Sequence, residues 1–76
     1  MALAVHYGRV EIVDLLLKNG ADPNLASFKE KNTPLHIAVN FKYRKIIDLL
    51  IEAGADENLV NSDGLVPWEG IVAKKF

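Results

Sequence analysis

The two histidines are the side chains in this sequence best suited to chemistry, because imidazole can transfer a proton or bind a metal near neutral pH. They are His6 and His36, and the sequence contains no cysteine. A zinc site would therefore need carboxylates at spacings unrelated to the usual zinc motifs. The sequence also lacks a glycine-rich phosphate loop, a Gly-x-Ser-x-Gly elbow and a His-Glu-x-x-His helix. We expect no catalytic residue, no metal site and no cofactor, and hence a protein that is not an enzyme.

Composition excludes several other classes. The chain has 76 residues, half of them hydrophobic, with a net charge of −1. That charge gives no basic face for nucleic acid, and Lys42, Arg44 and Lys45 are the nearest approach to a basic tract. The apolar runs are far shorter than the roughly 20 residues of a membrane-spanning helix. The N-terminus lacks the basic start of a signal peptide. We therefore predict no membrane contact and, since cysteine is absent, an intracellular location.

An internal repeat is the main signal of the sequence. Residues 19–24 (Asn-Gly-Ala-Asp-Pro-Asn) recur as residues 53–58 (Ala-Gly-Ala-Asp-Glu-Asn), at an offset of 34 residues. The same offset aligns the apolar segments 3–5 with 37–39 and 12–17 with 46–51. Such periodicity indicates stacked supersecondary units that share one continuous core.

Each repeat is predicted to form two helices. Thr33 and Pro34 make a strong start, because threonine caps the first turn and proline has no N–H to lose there. A helix from 34 to about 40 follows, with Leu35, Ala38 and Val39 facing inward. The second helix runs from about 45 to 53, with an apolar stripe at helical period formed by Ile46, Ile47, Leu50 and Ile51. Gly54 ends it, as Gly20 does in the first repeat.

These motifs resemble the ankyrin repeat. The resemblance is carried by Thr33-Pro34-Leu35-His36-x-Ala38 and by the two Gly-Ala-Asp-x-Asn strings, which stand at the family's spacing. It implies an all-α repeat solenoid, in which helix-turn-helix units stack and are joined by β-hairpin-like loops. It also implies that the His36 imidazole bonds to Thr33. The structural residues it implies are Gly20, Thr33, Pro34, Leu35, His36, Ala38, Gly54, Gly64, Pro67 and Trp68.

We interpret 1–76 as a single domain of three units. Unit one (1–24) is partial and lacks its Thr-Pro start, unit two (25–58) is complete, and unit three (59–76) is a partial C-terminal repeat. Lys31 stands where the family has a turn glycine, so the loop of unit two should be distorted. In unit three Trp68 replaces the motif's leucine, which predicts a core position. Leu3 and Val5 have no unit before them, so we expect a piece of a longer array or self-association of the end units.

The resemblance further implies a partner-binding surface on the concave side, made by the hairpin tips and the outward positions of the first helices. By alignment these positions are His6, Tyr7, Phe28, Lys29, Glu30, Asn32, Asn40, Phe41, Ser62, Asp63, Leu65 and Lys74. Tyr7 and Phe41 occupy equivalent places, so we expect them side by side as a hot spot. The alternative is that one or both of these side chains pack against the helix pair as part of the peripheral core. The mixed signs of Lys29, Glu30 and Lys31 argue against a strongly charged partner at the tip.

The leading functional prediction is a protein–protein interaction module, and the partner cannot be named from the sequence. The alternatives are a structural spacer within a longer array and a self-associating fragment. Asn24 and Asn58 are interpreted as turn residues whose side chains bond the backbone. Asparagines at this place in ankyrin repeats can be hydroxylated in animal cells, and modification of either residue stays open.

Overall fold

The computed structural model describes residues 1–27 and 29–69. Four helices lie in these ranges: α1 (Ala2–His6), α2 (Val10–Lys18), α3 (Pro34–Phe41) and α4 (Arg44–Glu52), followed by a single 3-10 turn at Pro67–Glu69. The two helices predicted for unit two therefore lie within a residue of their expected limits. No described helix is both long enough and apolar enough to cross a membrane.

The start of α3 follows from its first four residues. The Thr33 hydroxyl accepts a hydrogen bond from the His36 backbone N–H at 3.3 Å. The His36 Nδ1 atom accepts in return from the Thr33 backbone N–H at 3.1 Å. Neither backbone N–H has an acceptor within the helix, because both lie at its first turn. This reciprocal capping box therefore fixes where α3 begins. The predicted bond between Thr33 and His36 is confirmed.

The helices stack in two layers, with α1 against α3, α2 against α4, and α3 against the 3-10 turn of unit three. Their shared seam contains the fully or almost fully buried apolar side chains Val5, Val13, Leu35, Ala38, Ile46, Ile47 and Leu50. Val13 and Ile47 are equivalent residues of successive units, so the repeat in the sequence appears as a repeat in the core. Burial between neighbouring units is the main source of stability in such arrays.

Equivalent residues of the two units differ in burial. Ile46 of unit two is fully buried, while Ile12 at the matching place in unit one is 49% exposed. Of the two residues that have no unit before them, Leu3 is exposed, whereas the side chain of Val5 is fully buried. Val5 points into the seam between α1 and α3, whereas Leu3 lies on the side that no described unit covers.

Trp68 is not the core residue that the sequence predicts. Its side chain is 47% exposed, and the preceding Pro67 is the residue buried in this turn. The indole N–H of Trp68 donates to a carboxylate oxygen of Glu57 at 3.0 Å. An indole needs an acceptor for this N–H when it is buried. Turning outward gives Trp68 that acceptor at the surface.

The loops between units are compact but contain no strand within the described ranges. In unit two the Ser27 N–H donates to the Asn32 carbonyl at 2.9 Å, closing a hairpin-like tip. Lys31 in this tip has a φ of +59°, so it adopts the left-handed backbone that suits the glycine found there in the family. The Ser62 N–H donates to the Glu30 carbonyl at 2.8 Å, which joins this tip to the next loop.

Candidate partner-binding surface

The turns between the two helices of each unit bring aromatic residues to one end of the stack. In unit two, Phe41 ends α3, Lys42 caps it with a φ of +61°, and Tyr43 precedes α4. In unit one the equivalent turn is formed by Tyr7, Gly8 and Arg9. Because α1 packs against α3, these two turns are neighbours.

Four rings gather there, and we call His6, Tyr7, Phe41 and Tyr43 the aromatic cluster. The Phe41 ring meets His6 edge-on at a centroid distance of 5.1 Å and stacks on Tyr43 at 5.3 Å. His6 also meets Tyr7 edge-on at 5.1 Å. These spacings and orientations are those that aromatic pairs prefer. The cluster joins residues of two units into one continuous surface.

The expected side-by-side contact of Tyr7 with Phe41 is replaced by another arrangement. Phe41 pairs with His6 and Tyr43, and Tyr7 reaches the cluster through His6. The physical reason is Tyr43, which crosses from unit two to unit one. Its hydroxyl donates to the His6 carbonyl at 3.2 Å, and its ring lies over Gly8, where no side chain is in the way.

Exposure separates the members of the cluster into two roles. Tyr7 is 62% exposed and Phe41 is 42% exposed, so neither folds down as peripheral core. Tyr43 is half-buried and packs against the core. Sequence reasoning missed Tyr43, although an aromatic residue in a helix–helix turn beside a glycine of the neighbouring turn was a usable signal. The cluster therefore has an exposed face held on a partly buried base.

The remaining predicted contact residues fall into three groups. Exposed side chains are presented by Lys29, Glu30, Asn40, Ser62 and Asp63. Phe28 and Lys74 lie outside the described residues. Asn32 and Leu65 are not freely exposed.

Asn32 and Leu65 have structural contacts in place of the predicted exposure. The Asn32 side chain is only 7% exposed, and its Oδ1 accepts from the Asn61 side-chain amide at 2.8 Å. Leu65 is half-buried, and its carbonyl accepts from His36 Nε2 at 2.7 Å. The prediction that Asn32 faces a partner is wrong, because the loops of units two and three bury it between them.

Charge is unevenly distributed around the cluster. Arg9, Lys42, Arg44 and Lys45 are all exposed and lie in or beside the two turns. The carboxylates Glu11, Asp14, Asp48 and Glu52 line a groove of about 290 Å³ with Lys45, between α2 and α4. Within the described ranges the one ion pair joins Asp14 to Lys18 at 3.1 Å. The turn end thus carries exposed cations and the groove between α2 and α4 carries carboxylates, of which Asp48 also lines a groove with Lys42 and Arg44.

The comparison with known families decides what kind of repeat this is. A family model described as ankyrin repeats, in three copies, matches residues 1–61. The chain belongs to the ankyrin-repeat family. Ankyrin repeats are generally protein–protein interaction modules and typically not enzymes. No curated protein matches the sequence. Across the described part of the chain, no three His, Asp or Glu side chains are grouped so as to hold a metal ion.

The asparagine of the ankyrin motif has a structural role between units. Asn24 Oδ1 accepts from the Asp56 N–H at 2.6 Å, and its amide donates to the Gly54 carbonyl at 3.3 Å. Both partners belong to the following unit. Asn58, the equivalent residue of unit two, donates its backbone N–H to the Asp56 carboxylate at 2.8 Å. Asn24 therefore bonds backbone of the next unit, while the Asn58 bond stays within its own turn.

Proposed function

We propose that this chain is a protein-interaction module that binds a partner protein or peptide through the aromatic cluster. In this fold the cluster would lie at the edge of the concave side, beside the first helices. The observation that carries the proposal is the pair of exposed rings, Tyr7 and Phe41, which both contact His6, with Phe41 also stacked on the half-buried Tyr43. Exposed apolar surface of this kind is typical of interaction sites.

The packing inside the cluster favours binding energetically. A ring that is already stacked and hydrogen-bonded loses little rotamer freedom when a partner covers it, so more of the contact energy appears as affinity. Phe41 is fixed between His6 and Tyr43, and Tyr43 is fixed by its bond to the His6 carbonyl. Aromatic side chains are also over-represented among the residues that dominate interface energies. The cluster supports an anchor role rather than a peripheral one.

The test is partner capture from a matched cell extract with the intact protein and with the double variant Tyr7→Ala plus Phe41→Ala. We expect the variant to lose partners that the unchanged protein retains, because each ring supplies contact area at the proposed centre. Leu25→Ala is the control, since it removes an exposed apolar side chain from the loop between units one and two. Circular dichroism checks that both variants fold. A genuine partner that binds the double variant at wild-type strength would show the site assignment to be wrong.

A second candidate function is end-to-end assembly or a spacer role in a longer array. It is favoured by the outer side of unit one, where Leu3, Ile12 and Leu15 are exposed. Another repeat, from the same chain or a second copy, would cover such a surface. Sedimentation that shows a monomer at all concentrations would remove the self-association form. The spacer form predicts that a longer parent chain keeps its interactions when Tyr7 and Phe41 are made polar.

A further inference from the structure

We propose that the aromatic cluster takes an acidic segment of its partner, in which carboxylates flank an apolar or aromatic anchor residue. This inference rests on the proposed function and adds the chemistry of the partner. It starts from the position of the basic residues. Lys42 stands between Phe41 and Tyr43 in the chain, Arg44 follows them, and Arg9 occupies in unit one the place of Tyr43.

These cations are available to a ligand. Arg9, Lys42 and Arg44 are exposed, and in the part of the chain that the structure describes none of them forms an ion pair or a side-chain hydrogen bond. An exposed rim charge next to an apolar anchor attracts an opposite charge and fixes the register of the bound segment. The rings would therefore hold the anchor residue, and the cations would meet carboxylates on either side of it.

Lys42 supplies an independent argument. Its backbone has a φ of +61°, and the equivalent residue in unit one is Gly8, with a φ of +68°. A side chain in this left-handed conformation costs stability that glycine would not cost. Within the described ranges the Lys42 side chain forms no ion pair that would offset this cost. Strain of this kind is found where a side chain serves a function, and Lys42 follows Phe41 directly in the chain and lines a groove with Arg44 and Trp68.

The acidic back of the stack limits the length of the ligand and selects a peptide over nucleic acid. Glu11 and Asp48 line the groove that begins beside Lys45, at the edge of the basic turns. A long polyanion that followed the surface would meet these carboxylates, and the whole chain has a net charge of −1. Nucleic acid binding depends on neutralising many phosphates. A short acidic segment needs only the few cations of the turn end.

The experiment is a selection from a library of random short peptides on the immobilised full chain, followed by fluorescence anisotropy with the enriched peptides. We expect enriched peptides to carry Asp or Glu on both sides of an apolar or aromatic residue, and their binding to weaken as salt screens the charges. A labelled single-stranded oligonucleotide is measured in parallel. Enrichment without acidic residues, no enrichment at all, or tighter binding of the oligonucleotide would each overturn the inference.

Variants separate this inference from the proposed function. Removing the charges with Arg9→Gln, Lys42→Gln and Arg44→Gln leaves every ring in place. We expect the affinity for the acidic peptides to fall by about twofold to fivefold for each charge and by roughly tenfold or more for the three together. Lys18→Gln, which removes a cation at the far end of α2, is the control and should leave the affinity unchanged.

The two proposals fail in different ways. If Phe41→Ala abolishes peptide binding but the three charge variants do not weaken it, the binding site stands and the acidic partner is wrong. If Phe41→Ala has no effect while the charge variants abolish binding, the aromatic anchor is wrong and with it the combined recognition argued above.

Discussion

The Nε2 atom of His36 donates a hydrogen bond to the carbonyl oxygen of Leu65, 29 residues further along the chain, at 2.7 Å. A carbonyl can only accept, so the ring proton must be on Nε2. Nδ1 is then free to accept from the Thr33 N–H at 3.1 Å. One buried imidazole thus caps α3 and also bonds the loop of unit three. His36 is fully buried, and no buried side-chain polar atom of the described residues lacks a partner.

Replacing His36 with leucine should therefore destabilise the protein strongly. The leucine would fill much of the space but would leave the Thr33 N–H without its acceptor, and the Leu65 carbonyl would keep only the bond from the Asn61 N–H at 3.0 Å. We expect the free energy of unfolding in urea to fall by about 2–4 kcal/mol, since the buried Thr33 N–H is left without an acceptor and the bond from His36 to the Leu65 carbonyl is lost. Asn40→Leu, at an exposed position of the same helix, is the control and should change stability by about 0.5 kcal/mol or less. Equal losses for the two variants would contradict the assigned role.

The sequence predicted half of the His36 network. The bond between Thr33 and His36 is local, because the first and fourth residues of a capping box are always neighbours in a helix. The bond to Leu65 joins a side chain to a backbone atom of another unit, and no residue type marks a backbone acceptor. The hydrogen bond between Asn32 and Asn61 was not predicted for the same reason. Their mutual bond at 2.8 Å depends on how two loops stack, which repeat alignment does not specify.

The two repeat asparagines offer a matched pair of substitutions. Asn24→Ala removes the bonds to the Asp56 N–H and the Gly54 carbonyl, which join units one and two. We expect a loss of about 1–2 kcal/mol in the free energy of unfolding. Asn58→Ala should cost about 0.5 kcal/mol or less, because the bond at this turn comes from the Asn58 backbone, which alanine keeps. The comparison is made by urea denaturation, and a larger loss for Asn58→Ala would refute the cross-unit role.

The candidate site could be predicted only in outline. Repeat alignment placed Tyr7 and Phe41 on the exposed side, where the structure has them. It did not predict Tyr43, since the equivalent residue of unit one is Arg9 and the periodicity is broken there. The core position predicted for Trp68 was wrong for a related reason. Alignment assigns it the place of an apolar residue, but its N–H makes a surface bond to Glu57 possible.

Lys42→Gly should raise stability and lower affinity for acidic peptides. Glycine accepts the φ of +61° without a Cβ penalty. We expect the free energy of unfolding to rise by about 0.5–1 kcal/mol, because relief of the left-handed strain exceeds the entropy that glycine gives the unfolded chain. Lys45→Gly, within α4, should instead lose about 0.5–1 kcal/mol. Stability is measured in urea and affinity by anisotropy, and a destabilised Lys42→Gly variant would show the strain to be absent.

Gly8→Ala should lower the free energy of unfolding more than Gly20→Ala. Both glycines have a positive φ, +68° at Gly8 and +90° at Gly20. Nothing lies within 4 Å of a Cβ added to Gly20, so Gly20→Ala carries only the backbone cost of about 1–2 kcal/mol. A Cβ on Gly8 would come within 3.1 Å of Tyr43 Cζ, so the ring over this glycine would have to shift.

The difference between the two variants in the free energy of unfolding measures the contact of the added Cβ with the Tyr43 ring. We expect Gly8→Ala to lose about 1 kcal/mol more than Gly20→Ala. The shift would also disturb the Tyr43 bond to the His6 carbonyl and the stacking on Phe41, so partner binding should weaken in parallel. Adding Tyr43→Ala to each glycine variant completes the cycle. In the Tyr43→Ala background, Gly8→Ala and Gly20→Ala should lower the free energy of unfolding by similar amounts, because the added Cβ at Gly8 no longer meets a ring. If the additional loss of unfolding free energy persists in the double variant, it comes from backbone strain alone. Tyr43 would then not be the base of the aromatic cluster.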